Sequence, residues 1–154
     1  VLKKIVQQFG DSILKKDGTL NRKALGNIVF NDTAKLKVLN DITHPEIKKM
    51  ILKEIDKIRT EKNDSIVVVD AAVLIESGMD ELVDEVWLVY VDYPTQLRRL
   101  MKRDFITEAQ AHARIKSQMT LEEKIKRSDK IIDNTKDIEF TRQQVNKILN
   151  SITH

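Results

Sequence analysis

The residues best suited to chemistry in this chain lie between Arg98 and Arg127. That window holds nine basic and four acidic side chains, a net +5 in a chain whose formal charge is +3. Arg99 and Arg103 are one helical turn apart and share a face. Guanidinium groups grip phosphate oxygens through paired hydrogen bonds and neutralise charge as it develops in a transition state. A cluster of this kind suits a lid that closes over a polyanion. On charge alone the plainer reading, a solvated helix face laced with ion pairs, stands first. A second candidate is Asp70, which ends the run Ile66-Val67-Val68-Val69. Open parallel sheets gather ligands at the carboxyl ends of their strands, where a carboxylate can orient metal-bound water or a ribose hydroxyl. The same Asp also suits a helix cap, and Glu76 carries the same ambiguity. His44, just before Pro45, is most simply a helix start. Trp87, Tyr90 and Phe30 read as core.

Other chemistries are excluded by residue type. The 154 residues contain no cysteine, so there is no disulfide, thiolate nucleophile, iron–sulfur cluster or Cys-based zinc site. His44, His112 and His154 do not pair at i+4, and no His-Glu-x-x-His occurs. No Ser sits in a Gly-x-Ser-x-Gly turn. Gly10, Gly18, Gly26 and Gly78 are isolated and none precedes Lys, so the chain as given holds neither a phosphate-cradling P-loop nor a dinucleotide fingerprint. Aromatics make up only 5% of the chain, against the interleaved aromatics of a nucleic-acid groove. No apolar run approaches membrane-spanning length, and no signal peptide is expected. The chain begins with Val1, which fits initiator removal or a start partway into a longer protein.

The elements that must position these residues fall into two styles. Val1 to Phe9 has apolar side chains at helical spacing, Asp17-Gly18 is a turn, and Asn21 can cap a helix carrying Leu25, Ile28 and Val29. Asn31-Asp32 opens a third helix, and Thr43-His44-Pro45 is expected to open a fourth that runs to about Arg59. The period then changes. Ser65–Val69, Glu85–Val91 and Lys130–Ile132 read as strands alternating with helices, which argues for a parallel α/β sheet. Thr107 with Gln110 and Thr120 with Glu123 are capping boxes. Asp137 to Ile152 reads as a closing helix.

These pieces together resemble dephospho-CoA kinase. The resemblance runs from Val1 to about Val145. It is carried by Asp17-Gly18-Thr19-Leu20-Asn21-Arg22-Lys23-Ala24-Leu25-Gly26-Asn27, Ile42-Thr43-His44-Pro45, Val67-Val68-Val69-Asp70-Ala71-Ala72-Val73-Leu74-Ile75-Glu76-Ser77-Gly78, Leu82-Val83-Asp84-Glu85-Val86-Trp87, Gln96-Leu97-Arg98-Arg99-Leu100-Met101-Lys102-Arg103-Asp104, Ala113-Arg114-Ile115-Lys116-Ser117-Gln118-Met119 and Ile131-Ile132-Asp133-Asn134. No block decides alone, but seven in this order and spacing are specific.

The resemblance implies one α/β domain over 1–154, a P-loop kinase-like parallel sheet flanked by helices. Its helical substrate-binding region would be 1–63 and its lid 104–127. It implies transfer of the γ-phosphoryl group of ATP, with Mg²⁺, to the ribose 3′-hydroxyl of dephospho-CoA, in the cytoplasm, with no nucleic-acid or membrane partner. Arg22 and His44 then contact dephospho-CoA. Asp70 lies near Mg²⁺ or the acceptor ribose, Arg103 and Arg114 reach ATP phosphates, Gln118 is a further lid contact, and Asn134 lies beside adenine. Asp70 and Arg103 are the expected catalytic pair, and no metal ligand is assigned. The family pattern opens with a strand, a P-loop, and a second strand leading to a general base. This chain starts roughly 35–45 residues into that pattern, so its first strands are expected to be missing and the isolated chain to be inactive and prone to aggregate. Smaller departures are Ala71-Ala72-Val73 for Pro-Leu-Leu, Phe105 for Gly, and Thr135-Lys136 for Gly. The competing readings are a non-catalytic CoA- or nucleotide-binding module, a related nucleoside monophosphate kinase, and a small basic nucleic-acid binder.

Overall fold

A computed structural model describes residues 1–61 and 65–152. The expected boundary of the helical region at Asn63, and His154, lie outside them. The chain forms two compact units, Val1–Leu82 and Val83–His154.

The first unit is helical. α1 (Leu2–Phe9) buries Ile5, and a single 3₁₀ turn over Asp11–Ile13 places Ile13 in the core. The chain then reverses through Asp17-Gly18. Gly18 takes φ 78°, where a side chain would be strained. Asp17 accepts from both the amide and the hydroxyl of Thr19 (2.9 and 2.6 Å), and a Leu14–Leu20 bridge closes the turn. Asn21 caps α2 (Arg22–Val29) by accepting from the Ala24 amide at 3.1 Å. Ile5, Ile13, Leu25 and Val29 form the core, with Phe9, Leu20, Phe30, Leu36 and Leu39 packed around it. Enclosing side chains of this size contributes about 1.5–3 kcal/mol each.

Asp32 opens the next helix as expected, accepting from Ala34 and Lys35 amides at 3.1 Å. That helix, α3 (Thr33–Glu61), does not stop at Pro45. The expected break at Thr43-His44-Pro45 is therefore corrected: His44 lies inside a helix. Pro45 removes one backbone bond, the one that Asp41 C=O would accept, and the flanking ladder carries the helix past it. Thr43 turns its hydroxyl back to Leu39 C=O at 2.9 Å.

The expected strand at Ser65–Val69 is also corrected. The segment is unpaired, and Ile66, Val67 and Val68 face water, Val68 82% exposed. A β-branched run becomes a strand only when a neighbour supplies its ladder, and none of the described residues does so. Asp70 thus follows an extended segment and not a strand. Turns over 72–78 and a 3₁₀ helix, Met79–Leu82, complete the unit.

The second unit is α/β. β1 (Trp87–Tyr90) and β2 (Lys130–Asp133) pair in parallel, Trp87 opposite Lys130 and Tyr90 opposite Asp133. Among the described residues the sheet has these two strands, one fewer than the sequence pattern predicts. Asp92 caps α4 (Tyr93–Asp104) through the Thr95 amide at 2.9 Å. Both capping boxes form, at α5 (Glu108–Lys116) and α6 (Leu121–Lys126). Asp137 caps α7 (Ile138–Ile152) through the Phe140 amide at 2.8 Å. Gln144 of α7 clamps the end of β2, accepting from the Asp133 amide at 3.0 Å and donating to its carbonyl at 2.8 Å. Trp87, Tyr90 and Phe30 are half-buried.

Candidate active site

The charged window resolves into a defined cluster. Arg103, the last residue but one of α4, donates from Nε and Nη2 to the two carboxylate oxygens of Asp104, at 2.7 and 3.1 Å. Arg114, ten residues on in α5, donates from Nη1 to the same carboxylate. Two guanidiniums on one carboxylate leave a net positive charge. The Arg103 hydrogen bond foremost, with the nearby Arg114 charge, holds the Asp104 carboxyl below its ordinary value, and Asp104 in turn raises Arg103. Arg103 is 68% exposed at its side chain, so it is open to an incoming anion. The placement of Arg114 depends on how α5 sits on α4. The Tyr93 hydroxyl meets His112 Nδ1, and His112 Nε2 lies 3.5 Å from Glu108.

One turn before Arg103, Arg99 donates to the Asn134 carbonyl at 2.9 Å, tying α4 to the loop after β2. The Asn134 amide donates to Tyr90 C=O at 2.8 Å, and its side-chain oxygen accepts from the Thr141 hydroxyl at 3.0 Å. Asp133 accepts from both the hydroxyl and the amide of Thr135, which lowers its pKa. Lys136 turns its ammonium over the Phe140 ring, 4.5 Å from the centroid. Gln118 lies in the connection from α5 to α6 and accepts from Lys124 Nζ at 3.3 Å. The second unit therefore places Arg103 and Arg114 on one carboxylate, with Asn134 joined to the same helix through Arg99.

In the first unit, His44 lines a cavity of about 330 Å³ together with Asn40, Asp41, Pro45, Lys48 and Ser77. Arg22, exposed at the first position of α2, is not among its lining residues. Asp70 is exposed and has no hydrogen bond or ion pair among the described residues. Among the described residues no three His, Asp or Glu side chains gather to hold a metal ion, and no helix is long and apolar enough to cross a membrane. Sequence reasoning missed Asn40, Asp41 and Lys48, whose only signal was helical spacing of three or four residues from His44. It also counted Arg99 and Asp104 only as charges.

The family model for dephospho-CoA kinase matches residues 1–139. The chain belongs to the dephospho-CoA kinase family. It is 48% identical over 146 residues to the dephospho-CoA kinase of Carboxydothermus hydrogenoformans, covering 95% of this chain and 70% of that protein. It is 43% identical over 145 residues to that of Symbiobacterium thermophilum, covering 94% of this chain and 60% of the relative. Dephospho-CoA kinase from Campylobacter jejuni superimposes with TM-score 0.61 at 35% identity, over 98% of this chain and 75% of that one. TT1252 from Thermus thermophilus gives TM-score 0.73 at 26% identity, over 99% and 76%. The parallel sheet flanked by helices is thus that of a P-loop kinase-like fold, and dephospho-CoA kinases are phosphotransferases.

Proposed function

We propose that this chain forms the acceptor-binding helices and the arginine-bearing lid of a dephospho-CoA kinase, with the stretch 104–127 as the lid. The reaction moves the γ-phosphoryl group of ATP to the ribose 3′-hydroxyl of dephospho-CoA. The 3′-oxygen bonds to the γ-phosphorus, the bond to the bridging oxygen breaks, and ADP leaves. The hydroxyl proton passes to a general base. Such transfers depend on positioning and on neutralising phosphate charge. The observation that carries the reading is the sharing of one carboxylate by Arg103 and Arg114. Asp104 holds both guanidiniums ready, and a polyphosphate, with more negative charge than one carboxylate, draws them off. Gln118 is a further lid contact, and Asn134 faces the adenine of ATP.

Arg22 and His44 bind dephospho-CoA, His44 through the cavity it lines. ATP enters with Mg²⁺, which spreads the phosphate charge when bound. This ion keeps several waters and takes one or two carboxylates besides substrate phosphates. The exposed carboxylate of Asp70 fits that need, holding a metal-bound water or the acceptor ribose hydroxyl. We also propose that the 154 residues alone do not turn over, since they contain no Gly-x-x-x-x-Gly-Lys to cradle the phosphates. The work is done in the cytoplasm and needs no nucleic acid or membrane. In the protein as its organism makes it, Arg103→Ala should lower turnover about 10³-fold and leave dephospho-CoA affinity nearly intact. Unchanged turnover removes Arg103 from the mechanism. A wild-type protein that binds dephospho-CoA and transfers nothing is a binding module instead.

A further inference from the structure

His112 is not a member of the arginine cluster, but two partners fix its ring. Its Nδ1 meets the Tyr93 hydroxyl, and its Nε2 lies 3.5 Å from Glu108, one turn earlier on α5. A carboxylate facing Nε2 calls for a hydrogen there, which leaves Nδ1 as the acceptor and Tyr93 as the donor. The two rings also pack at a tilt, their centroids 5.6 Å apart.

This bond joins α4 to α5 across 19 positions of sequence. The bond from Arg114 to Asp104 joins the same two helices. Tyr93 is the first residue of α4 and Asp104 the last, about 16 Å apart along the helix axis at 1.5 Å per residue. On α5, His112 and Arg114 are two positions apart, and residues so spaced do not face the same way. The two ties therefore hold α5 on different sides and at opposite ends of α4. One tie alone leaves α5 free to pivot about it, whereas two fix its direction. Ala111, next to His112, is fully enclosed, so α5 is seated by packing as well. We infer that Tyr93 and His112 are positioning residues: their hydrogen bond sets α5 on α4 at the angle that brings the Arg114 guanidinium to Asp104, ready for the phosphates. The inference rests on the proposed role of Arg114 in gripping ATP. Neither Tyr93 nor His112 touches a substrate in it, and both act through Arg114.

The test uses Tyr93→Phe, His112→Ala and His112→Asn, each with and without Arg114→Ala, in the protein as its organism makes it. Turnover, KM for each substrate and thermal melts are measured. Tyr93→Phe and His112→Ala should each lower kcat about tenfold and raise KM for ATP, with KM for dephospho-CoA unchanged. Melting should fall by no more than a few degrees. His112→Asn places an acceptor oxygen near the site of Nδ1 and should recover most of the turnover. In the Arg114→Ala background the same changes should have no further effect on kcat. Tyr93→Phe keeps the ring and so reads the bond even where His112→Ala disturbs the fold. Full turnover in Tyr93→Phe overturns the inference. So does an equal loss with and without Arg114, which is what a merely structural role would give. Full turnover in Arg114→Ala alone removes the functional reading of that arginine, and this inference with it, before any Tyr93 or His112 variant is made.

Discussion

Asp104→Asn separates an arginine holder from an incidental ion pair. The change keeps size and shape but removes the charge that two guanidiniums share, and it turns an amide toward them. Arg103 is 68% exposed, so its pair is worth the few tenths of a kcal/mol typical of solvated pairs. Asp104 and Arg114 are 22% and 37% exposed at their side chains, which puts that pair nearer about 1 kcal/mol. The total is about 1–1.5 kcal/mol, which lowers Tm by a few degrees. The loss depends on pH. The Asp104 carboxyl titrates below its ordinary 3.8 in the folded protein. Its contribution is therefore present above that value and fades as pH falls through the lower, folded one. The melting difference between variant and wild type should be full at neutral pH and shrink in acid. Turnover should fall about ten- to a hundredfold, since a phosphate-gripping arginine misplaced by an ångström costs that much. Differential scanning fluorimetry across pH and a coupled assay for ADP read both effects. Equal melting at pH 7 together with full turnover would refute the reasoning.

Two further outcomes follow from other parts of the chain. Gln144→Met removes both bonds to the Asp133 backbone and leaves a part-buried N–H and C=O unpaired, so a urea titration should show a loss of about 1–3 kcal/mol. A titration indistinguishable from wild type would mean that Gln144 does not hold β2. His44→Ala opens the cavity beside Asn40 and Lys48 and should raise KM for dephospho-CoA while leaving KM for ATP alone. A change in the ATP constant only would place His44 on the donor side.

What could be read from the sequence was mostly short-range. Asn21, Asp32, Thr107 and Thr120 cap helices because a side-chain oxygen meets an amide two or three residues on, and three to four letters of sequence suffice to see it. Pro45 misled for the converse reason: the local cost of a proline is fixed, but twenty-nine residues of helix outweigh it. Ile66–Val69 misled because β propensity expresses a neighbour's ladder and not the chain's own backbone. The candidate site was legible as a charge count and through the family resemblance. Its geometry was not, because Arg99 to Asn134 spans 35 residues and Asp133 to Gln144 crosses from strand to helix. The cavity at His44 draws on Ser77, 33 positions away, which no spacing rule reaches.

The most direct test of the central claim is the product. The protein as its organism makes it is given ATP, Mg²⁺ and dephospho-CoA, and the products are separated and the position of the new phosphate is read by NMR. The account predicts ADP and coenzyme A in equal amounts, with the phosphate on the ribose 3′-oxygen. ADP formed without a phosphorylated acceptor, or transfer to a nucleoside monophosphate in preference to dephospho-CoA, would contradict it.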